Sequence, residues 1–402
     1  MRTVLVTGPG GAGRTTLAAA TALAGARRGE RVLLLTARGG TAERVLGTRL
    51  GRPGDGPVPV VPGLHARCVD AGDHFRREAL AFQERAGAAL DLLGAAPLDE
   101  DELTELPGAE AFALLHELRA AHEAAGGPDG PQTVVVDMPP AADTVALLAL
   151  PEQARRYLRR LLPPERQAAR ALRPVLAQLA GVQMPTQKLY EAAERWEHEL
   201  AAVQRIIDHP GTTVRIVTEA GPAAVADLRE VRSGLALYGH RTDAVVVNRL
   251  LPTGSADPFL AALSGQQQSA LKALREEFPE APVVEVPHLG RDPEGTEELD
   301  GLLRGAVGEP AAPGGADDPW SVEDRLATDG ILVWRVPLPG AERDGLGLLR
   351  RGDEVVVTAG RYRRIRTLPS ALRRCSVSGA GLRDGALHIR FTPDPDLWPR
   401  GH

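Results

Sequence analysis

The sequence predicts a doubly wound α/β fold with a mostly parallel sheet and helical inserts, followed by a small C-terminal all-β domain. Three observations lead to this prediction. An apolar run near the N-terminus leads directly into a glycine-rich loop. Further apolar runs alternate with helical stretches, as expected for strands that are covered on both faces. After a Pro/Gly-rich segment the pattern changes to short strand-like runs with turn signals.

The first strands and the first helix form a βαβ unit. Thr3–Thr7 and Arg31–Thr36 are short apolar runs that predict strands. Between them, Thr15–Arg28 is rich in Ala and Leu and predicts a helix that ends at Gly29. A strand, a helix and a second strand in this order give a right-handed crossover and a parallel sheet. The other predicted strands are Thr133–Asp137, Val214–Thr218, Ala244–Asn248 and Val283–Val286.

Two long helical stretches interrupt these strands, at about 74–125 and 151–208. In the second, the segment AARALRPVLAQLAG places apolar side chains on one face, and Pro163-Pro164 divides the stretch into several helices. Glu309–Pro319 is rich in Pro, Gly and Ala and predicts a linker. The predicted division of the chain is into residues 1–308, a linker at 309–319 and residues 320–402.

The segment after the linker predicts a separate all-β domain that folds by itself. Asp384-Gly385 lies between Leu382 and Leu387 and is a strong signal for a tight hairpin turn. The predicted strands of this domain are Ile331–Pro337, Glu354–Ala359, Tyr362–Leu368 and Ala386–Phe391.

Charge and cysteine content argue against several classes of function. The 47 basic and 53 acidic side chains give a net charge of −6, which argues against a general nucleic-acid or membrane-surface binder. Cys68 and Cys375 are far apart in sequence, so neither a thiolate metal site nor a disulfide framework is expected. No apolar run reaches about 18 residues, so no membrane-spanning segment is expected. The N-terminus lacks the length and cleavage site of a signal peptide, and we expect a cytoplasmic protein.

The loop after the first strand, Gly8–Thr16 (GPGGAGRTT), has the spacing of a phosphate-binding loop, G-x-x-x-x-G-K-[ST]. Its glycines let backbone amides approach a phosphate closely, and the following helix presents its N-terminus to the anion. Arg14 replaces the usual lysine, and Thr15 can offer its hydroxyl to Mg²⁺. The alternative is a plain tight turn between strand and helix. The residues expected to contact a nucleotide here are Gly8, Gly10, Gly11, Ala12, Gly13, Arg14, Thr15 and Thr16.

Asp137 ends the third predicted strand, at the edge of the sheet where ligands bind. From this place an acid can hold the water shell of Mg²⁺ or an attacking water. Asp137 and Arg14 are therefore the candidate catalytic residues. Thr15 and Asp137 are the candidate magnesium residues, Asp137 through a water molecule. The alternative for Asp137 alone is an aspartate that caps a helix or stabilises a turn.

Taken together, these motifs resemble the family that joins the arsenical pump-driving ATPase (ArsA) to the guided-entry targeting ATPases, within the deviant Walker A class of P-loop NTPases. The glycine loop is similar to the family's G-K-G-G-V-G-K-T-T, and Val134–Leu158 resembles its switch II segment. Leu106–Phe112 is similar to its P-G-x-x-E-A element, and Val286–Gly295 resembles the loop that closes over the base. Ala244–Pro252 (AVVVNRLLP) matches a strand that ends in an adenine-binding asparagine. The resemblance covers about residues 1–308.

The resemblance implies a homodimer that binds ATP with Mg²⁺, with Asn248 and Pro287 at the adenine base. It also implies that the helical inserts bind a hydrophobic protein client. Zinc, which bridges guided-entry dimers through a C-x-x-C motif, is not expected, because this sequence lacks the motif. Two cysteines also cannot form the three-thiolate site of an arsenite pump. The C-terminal segment resembles the small-heat-shock-like (α-crystallin-type) domain that is appended to some members.

The chain departs from the family pattern at four positions. Pro9 replaces the signature lysine, Arg14 the loop lysine, Arg38 the switch I aspartate and Asp143 a switch II histidine. These groups act mainly on the transition state, so we expect ATP binding to persist and hydrolysis to be slow. The chain has only two lysines, so one Lys-to-Arg replacement carries little weight by itself.

Three alternatives stay open at this point. In the first, the protein is a non-catalytic holdase or scaffold, and its glycine loop no longer binds a nucleotide. In the second, Arg38 itself reaches the γ-phosphate and restores hydrolysis. A partitioning ATPase of the ParA/MinD type is the third alternative, which the long helical inserts and the appended β domain disfavour.

Overall fold

The structure, a computed structural model, describes residues 1–51, 55–93, 98–105, 108–161, 186–302 and 318–398. The strands of the N-terminal domain are β1 (Arg2–Gly8), β2 (Val32–Thr36), β3 (Val58–Val61), β4 (Leu64–Cys68), β5 (Thr133–Pro140), β6 (Thr212–Glu219), β7 (Thr242–Leu250) and β8 (Val283–Pro287). Its helices are α1 (Arg14–Arg27), α2 (Gly39–Leu46), α3 (Ala71–Leu93), α4 (Ala109–Ala124), α5 (Ala141–Leu161), α6 (Thr186–Ile207), α7 (Pro222–Tyr238), α8 (Pro258–Glu277) and α9 (Gly295–Leu302), with a 3₁₀ turn at Glu100–Glu102.

These strands form one sheet in the order β3-β4-β2-β5-β1-β6-β7-β8. All neighbouring strands are parallel except β3 and β4, which are antiparallel at one edge. The predicted doubly wound α/β fold is confirmed, and the six predicted strands are all present. The order places the carboxyl ends of β1, β2 and β5 side by side, where the candidate site residues lie.

The sequence analysis did not predict β3 and β4. Pro59 lies in β3, which pairs only on one side, as expected for an edge strand that contains proline. In β4, the exposed His65 lies between the buried Leu64 and Ala66, so the strand is not a continuous apolar run.

Helices cover both faces of the sheet. On one face, Leu17 and Leu23 of α1 and Leu299 of α9 pack against the alternating side chains of the strands. On the other face, Leu114 of α4 and Leu148 of α5 join a second apolar cluster, to which α6, α7 and α8 also contribute. Side chains on both faces are therefore buried, which explains why the strands are apolar at successive positions.

The helical inserts differ in detail from the prediction. The first contains α3 and α4, and the second begins ten residues earlier than predicted, because α5 starts at Ala141 and contains Pro151 in its interior. The predicted break at Pro163-Pro164, the segment AARALRPVLAQLAG and residues 309–317 of the predicted linker lie outside the described residues.

The strands of the C-terminal domain are β9 (Ser321–Arg325), β10 (Ile331–Pro337), β11 (Leu346–Arg351), β12 (Glu354–Ala359), β13 (Tyr362–Thr367), β14 (Cys375–Arg383) and β15 (Ala386–Pro393). They form two antiparallel sheets, in the orders β14-β15-β10-β9 and β11-β12-β13. The four predicted strands are confirmed, while β9, β11 and β14 were not predicted. Asp384 and Gly385 both have positive φ in the β14–β15 turn, as the hairpin signal indicated. The short helices are α10 (Leu326–Asp329) and α11 (Ser370–Arg373), with a 3₁₀ turn at Arg343–Gly345.

The β domain packs against α5 and α7 of the N-terminal domain. Arg364 of β13 donates two hydrogen bonds, of 3.2 and 2.9 Å, to the carboxylate of Glu152 on α5. It also donates to the carbonyl oxygen of Leu237 on α7, at 2.9 Å. Arg156 of α5 donates two hydrogen bonds, of 3.2 and 2.7 Å, to Glu354 of β12. Two bidentate ion pairs therefore join α5 to one sheet of the β domain.

The same junction is closely packed. A Cβ atom on Gly234 of α7 would lie 2.5 Å from the ring of Tyr362, so only glycine fits there without a shift of the tyrosine. Among the described residues, three buried polar atoms at the junction have no hydrogen-bond partner: Nε2 of His240, Nε1 of Trp320 and the hydroxyl of Tyr362. Whether residues 320–402 fold by themselves stays a prediction. Across the described ranges, no helix is both long and apolar enough to cross a bilayer.

Candidate functional site

The glycine-rich loop lies between β1 and α1, and its glycines have different roles. A Cβ atom on Gly8 would lie 1.8 Å from the carbonyl oxygen of Val217 on β6, so Gly8 is required by the close approach of a neighbouring strand. Gly11 and Gly13 have φ values of 85° and 90°, which favour glycine. Gly13 is the residue that precedes α1, and the loop therefore ends at a helix N-terminus. A loop of this form followed by a helix is suited to an anion.

Asn248, at the carboxyl end of β7, is hydrogen-bonded to the backbone of this loop. Its Nδ2 donates a hydrogen bond of 2.9 Å to the carbonyl oxygen of Ala12. In a trans peptide the N–H points opposite to the C=O, so the amide of Gly13 points away from Asn248. A Cβ atom on Gly13 would lie 2.4 Å from Nδ2 of Asn248, which is a second reason for glycine at this position.

Asp137 is the acid at the centre of the site. It lies near the end of β5, and only 3% of its surface is exposed. The hydroxyls of Thr15 and Thr36 both donate to its Oδ2, at 2.7 and 2.9 Å. Its Oδ1 is buried and has no hydrogen-bond partner in the part of the chain that the structure describes. Burial raises the pKa of Asp137, against the opposite effects of the two threonine hydrogen bonds and the charges of Arg14 and Arg38.

These oxygen atoms fit a divalent cation. Mg²⁺ prefers oxygen ligands and keeps several of its waters, so it needs few protein atoms. The hydroxyl of Thr15, at the start of α1, and Oδ1 of Asp137, which has no partner among the described residues, are such atoms. The sequence analysis named both residues. It missed Thr36, although Thr36 also ends an apolar strand at the same edge of the sheet.

Arg14 lies in this site, and its guanidinium is bound to a backbone carbonyl oxygen. Its side chain is 7% exposed, and Nη1 donates a hydrogen bond of 2.6 Å to the carbonyl oxygen of Met138. Burial lowers the pKa of Arg14, and the charge of Asp137 acts in the opposite direction. In the structure the Met138 carbonyl oxygen of β5 therefore binds the guanidinium, and the role of Arg14 at a nucleotide stays a prediction.

The other unusual positions lie around the site. Arg38 is exposed, and its backbone N–H donates to the hydroxyl of Thr36 at 3.0 Å. Within the described part of the chain, no hydrogen bond or ion pair holds the Arg38 side chain. Asp143, in the first turn of α5, is exposed, and Pro9 is half-buried. Among the described residues, the loop is thus next to the buried acid Asp137 and the exposed Arg38, whose side chain has no partner there.

The predicted base-binding residues line one small pocket. Asn248 and Pro287 lie there with Gly13 and Thr16, and the residues after Pro287 add His288, Leu289, Arg291, Asp292 and Pro293 to the lining. Asn248 is 7% exposed, and its Oδ1 accepts a hydrogen bond of 2.9 Å from the backbone N–H of Arg249. An amide group has two donor hydrogens and two acceptor sites, so one of each is left for a ligand.

Comparisons with known proteins agree with this architecture. Residues 1–304 match the family described as anion-transporting ATPase. Residues 329–391 match the HSP20-like domain found in ArsA. Both matches confirm the resemblance that the motifs indicated.

Three relatives match this chain along nearly its whole length. An uncharacterized protein of Streptomyces coelicolor is 54% identical over 403 residues, which cover 100% of each chain. A protein of Mycobacterium tuberculosis is 31% identical over 436 residues, or 99% of this chain and 97% of the relative. The "Putative arsenical pump-driving ATPase 1" of Aquifex aeolicus is 26% identical over 388 residues, or 93% of this chain and 95% of the relative. The chain belongs to the anion-transporting ATPase (ArsA) family and carries an HSP20-like domain in its C-terminal part.

Proposed function

We propose that the protein binds ATP with Mg²⁺ at the loop between β1 and α1 and hydrolyses it slowly. One observation carries this proposal. Next to a glycine loop and a helix N-terminus, the Thr15 hydroxyl donates to Asp137, whose second oxygen is buried without a partner. An unpaired buried carboxylate oxygen is costly unless a ligand or a cation uses it.

In this proposal each part of the nucleotide has its own residues. The amides of the loop, Gly8–Thr16, hold the phosphates. Thr15 and Asp137 hold Mg²⁺, Asp137 through a water. Asn248 and Pro287 contact the adenine. Bound Mg²⁺ would supply positive charge to the phosphates, and the residues named here would position it.

Slow hydrolysis follows from what surrounds the loop. Pro9 carries no charge, and Arg14 is held by the carbonyl oxygen of Met138. Position 38 has an arginine where the resemblance expects an acid that orients water. Removal of positioned charge from a phosphoryl-transfer site costs roughly 10³-fold or more in rate. Ground-state binding depends more on the loop amides, so it should be retained better than turnover.

The proposal includes a cytoplasmic homodimer that couples nucleotide state to the binding of a hydrophobic client. Phe112 of α4 and Trp196 of α6 support a client surface on the helical layer. Their rings are in edge-to-face contact, with centroids 6.5 Å apart, and the two residues are 41% and 49% exposed. Exposed aromatic pairs of this kind are typical of surfaces that bind apolar partners. We do not include arsenite transport, because the chain has only two cysteines.

One observation favours a second candidate, a non-catalytic holdase or scaffold. The guanidinium of Arg14 already donates a hydrogen bond to the carbonyl oxygen of Met138, so it has a partner within the protein without any phosphate. In that case the loop is structural, and the β domain is the binding module.

A titration of the purified full-length protein with ATP, with and without Mg²⁺, separates the two candidates. Calorimetry should detect Mg²⁺-dependent ATP binding, and phosphate release should be slow. Asp137→Asn should lose the Mg²⁺-dependent part of ATP binding. Asp143→Asn, which changes an exposed acid in the first turn of α5, is its matched control. Absence of ATP binding would favour the scaffold, and fast phosphate release would contradict the proposed slow hydrolysis.

A further inference from the structure

Arg249 has a backbone conformation that residues other than glycine rarely adopt. Its φ is 57°, and among the described non-glycine residues only Asp384, in the β14–β15 turn, also has a positive φ. A left-handed backbone is unfavourable for a residue with a side chain and persists only where its surroundings hold it. Here it occurs directly after Asn248, at the edge of the predicted base pocket.

The surroundings of Arg249 account for this conformation. Its backbone N–H donates to Oδ1 of Asn248 at 2.9 Å, and its carbonyl oxygen accepts from Nε2 of Gln267 at 3.2 Å. Its Nη1 donates to Oε1 of Glu219 at 2.7 Å, and its Nη2 donates to Oδ1 of Asp292 at 3.2 Å. Two carboxylates from different parts of the chain thus fix the direction of the guanidinium.

The guanidinium also reaches the phosphate loop. Nη1 of Arg249 donates a hydrogen bond of 3.1 Å to the carbonyl oxygen of Gly11. Because the N–H of the same peptide points the opposite way, this contact turns the amide of Ala12 toward the phosphate side. Asn248 acts in the same way on the next peptide, through the carbonyl of Ala12. Two consecutive residues of β7 therefore orient two consecutive amides of the loop.

We propose that Arg249 is a positioning residue of the phosphate site, which orients the Gly11–Ala12 peptide for a phosphate. This inference rests on the proposed nucleotide binding at the loop. Arginine is suited to the role because its planar fork can donate in several fixed directions at once. The strained backbone aims the fork at Glu219, Asp292 and the loop together.

Glycine at position 249 gives a sharp test. It accepts φ of 57° without strain but has no side chain, so Arg249→Gly should leave the unfolding midpoint of the full-length protein unchanged or higher. Its affinity for ATP and for pyrophosphate should fall about tenfold, the equivalent of one charge-assisted hydrogen bond. Its affinity for adenosine, which has no phosphate, should not change. Arg249→Lys keeps the charge without the fork and should recover only part of the loss.

Asp384→Gly is the matched control, because it relieves the other positive φ far from the loop in sequence and should alter no ligand affinity. An equal loss of ATP and adenosine affinity in Arg249→Gly, or full recovery by lysine, would overturn the positioning role. So would native ATP affinity in Arg249→Gly. If the native protein binds neither ATP nor pyrophosphate, the proposed function itself fails, and this inference fails with it.

Discussion

The hydroxyl of Thr36 donates a hydrogen bond of 2.9 Å to Oδ2 of Asp137, across the carboxyl ends of the neighbouring strands β2 and β5. Thr15 donates to the same oxygen, so Oδ2 accepts hydrogen bonds from both threonines. The other oxygen, Oδ1, is buried and has no hydrogen-bond partner among the described residues. The two threonines thus fix the orientation of the carboxylate and leave Oδ1 without a donor.

We predict that Asp137→Asn removes the stabilisation by MgATP without destabilising the protein alone. Burial raises the pKa of Asp137, so its folded carboxylate binds protons more readily than the unfolded one and costs stability at neutral pH. An amide avoids this cost but is a poor partner for Mg²⁺. Thermal unfolding with and without MgATP measures both effects. A full MgATP-dependent shift in Asp137→Asn would remove Asp137 from the magnesium site, and Asp143→Asn is the control.

We predict that Asn248→Ala weakens ATP binding by about 1–3 kcal/mol, as expected when a hydrogen-bonding group of the ligand is left unpaired. Part of the loss should extend to pyrophosphate, because Nδ2 of Asn248 also holds the carbonyl of Ala12. Competition titrations with ATP, GTP and pyrophosphate distinguish the two contributions. An unchanged preference for adenine over guanine would show that Asn248 does not contact the base.

We predict that no single repair of the loop restores fast hydrolysis. Arg14→Lys alone should recover little, because position 9 still lacks a charge and position 38 still lacks an acid. Groups that act as a unit in a transition state are strongly non-additive. The triple variant Pro9→Lys, Arg14→Lys, Arg38→Asp should therefore release phosphate much faster than any single variant. Steady-state phosphate release tests this, with ATP affinity measured in parallel. If the native protein releases phosphate fast and Arg38→Ala does not, the prediction is wrong. That result would show that Arg38 acts on the γ-phosphate.

We predict that stability falls in acid partly because of His240. Burial, with a smaller contribution from Arg364, lowers the pKa of His240 to about 3, and its Nε2 has no partner. The unfolded histidine, with a pKa of about 6.5, takes up a proton first. The contribution of neutral His240 to the free energy of unfolding is therefore fully present above about pH 6.5. It is lost as the pH falls toward 3, at up to about 1.4 kcal/mol per pH unit. The unfolding free energy of His240→Leu should depend less on pH than that of the native protein, whereas the exposed His198→Leu should behave like the native protein.

We predict that limited proteolysis cuts the chain within 309–319 and leaves two resistant fragments. The structure adds that these fragments should stay together, because Arg364–Glu152 and Arg156–Glu354 are bidentate pairs across the junction. Size-exclusion chromatography after cleavage tests this. Arg364→Ala should weaken the association, whereas Arg325→Ala, within the β domain, should not. A single resistant fragment that spans the linker would contradict the predicted domain division.

Much of the sheet could be predicted, because strands covered on both faces leave continuous apolar runs. β3 and β4 were missed because Pro59, His65 and Arg67 interrupt that pattern. The turn at Asp384-Gly385 was predicted correctly, since its residue types directly favour positive φ.

The candidate site was only partly predictable. Thr15 and Asp137 belong to recognisable motifs, and the structure brings them together. Thr36 depends on which strands become neighbours, and a strand's spatial neighbour is not encoded in its own residues. The strained φ of Arg249 has no compositional signal, because glycine or asparagine usually marks such a position. That Arg14 bonds to Met138 depends on its rotamer, and the sequence specifies only its charge.

The helix α5 is, in mechanical terms, a lever. It starts directly after β5, the strand of Asp137, and its Glu152 and Arg156 are held by the β domain. At 1.5 Å per residue, the arm from Ala141 to Glu152 is about 17 Å long. A tilt of about 10° at Ala141 would displace Glu152 by about 3 Å, which no hydrogen bond tolerates. With such a tilt, the HSP20-like domain would either move together with Glu152 and Arg156 or lose its ion pairs with α5.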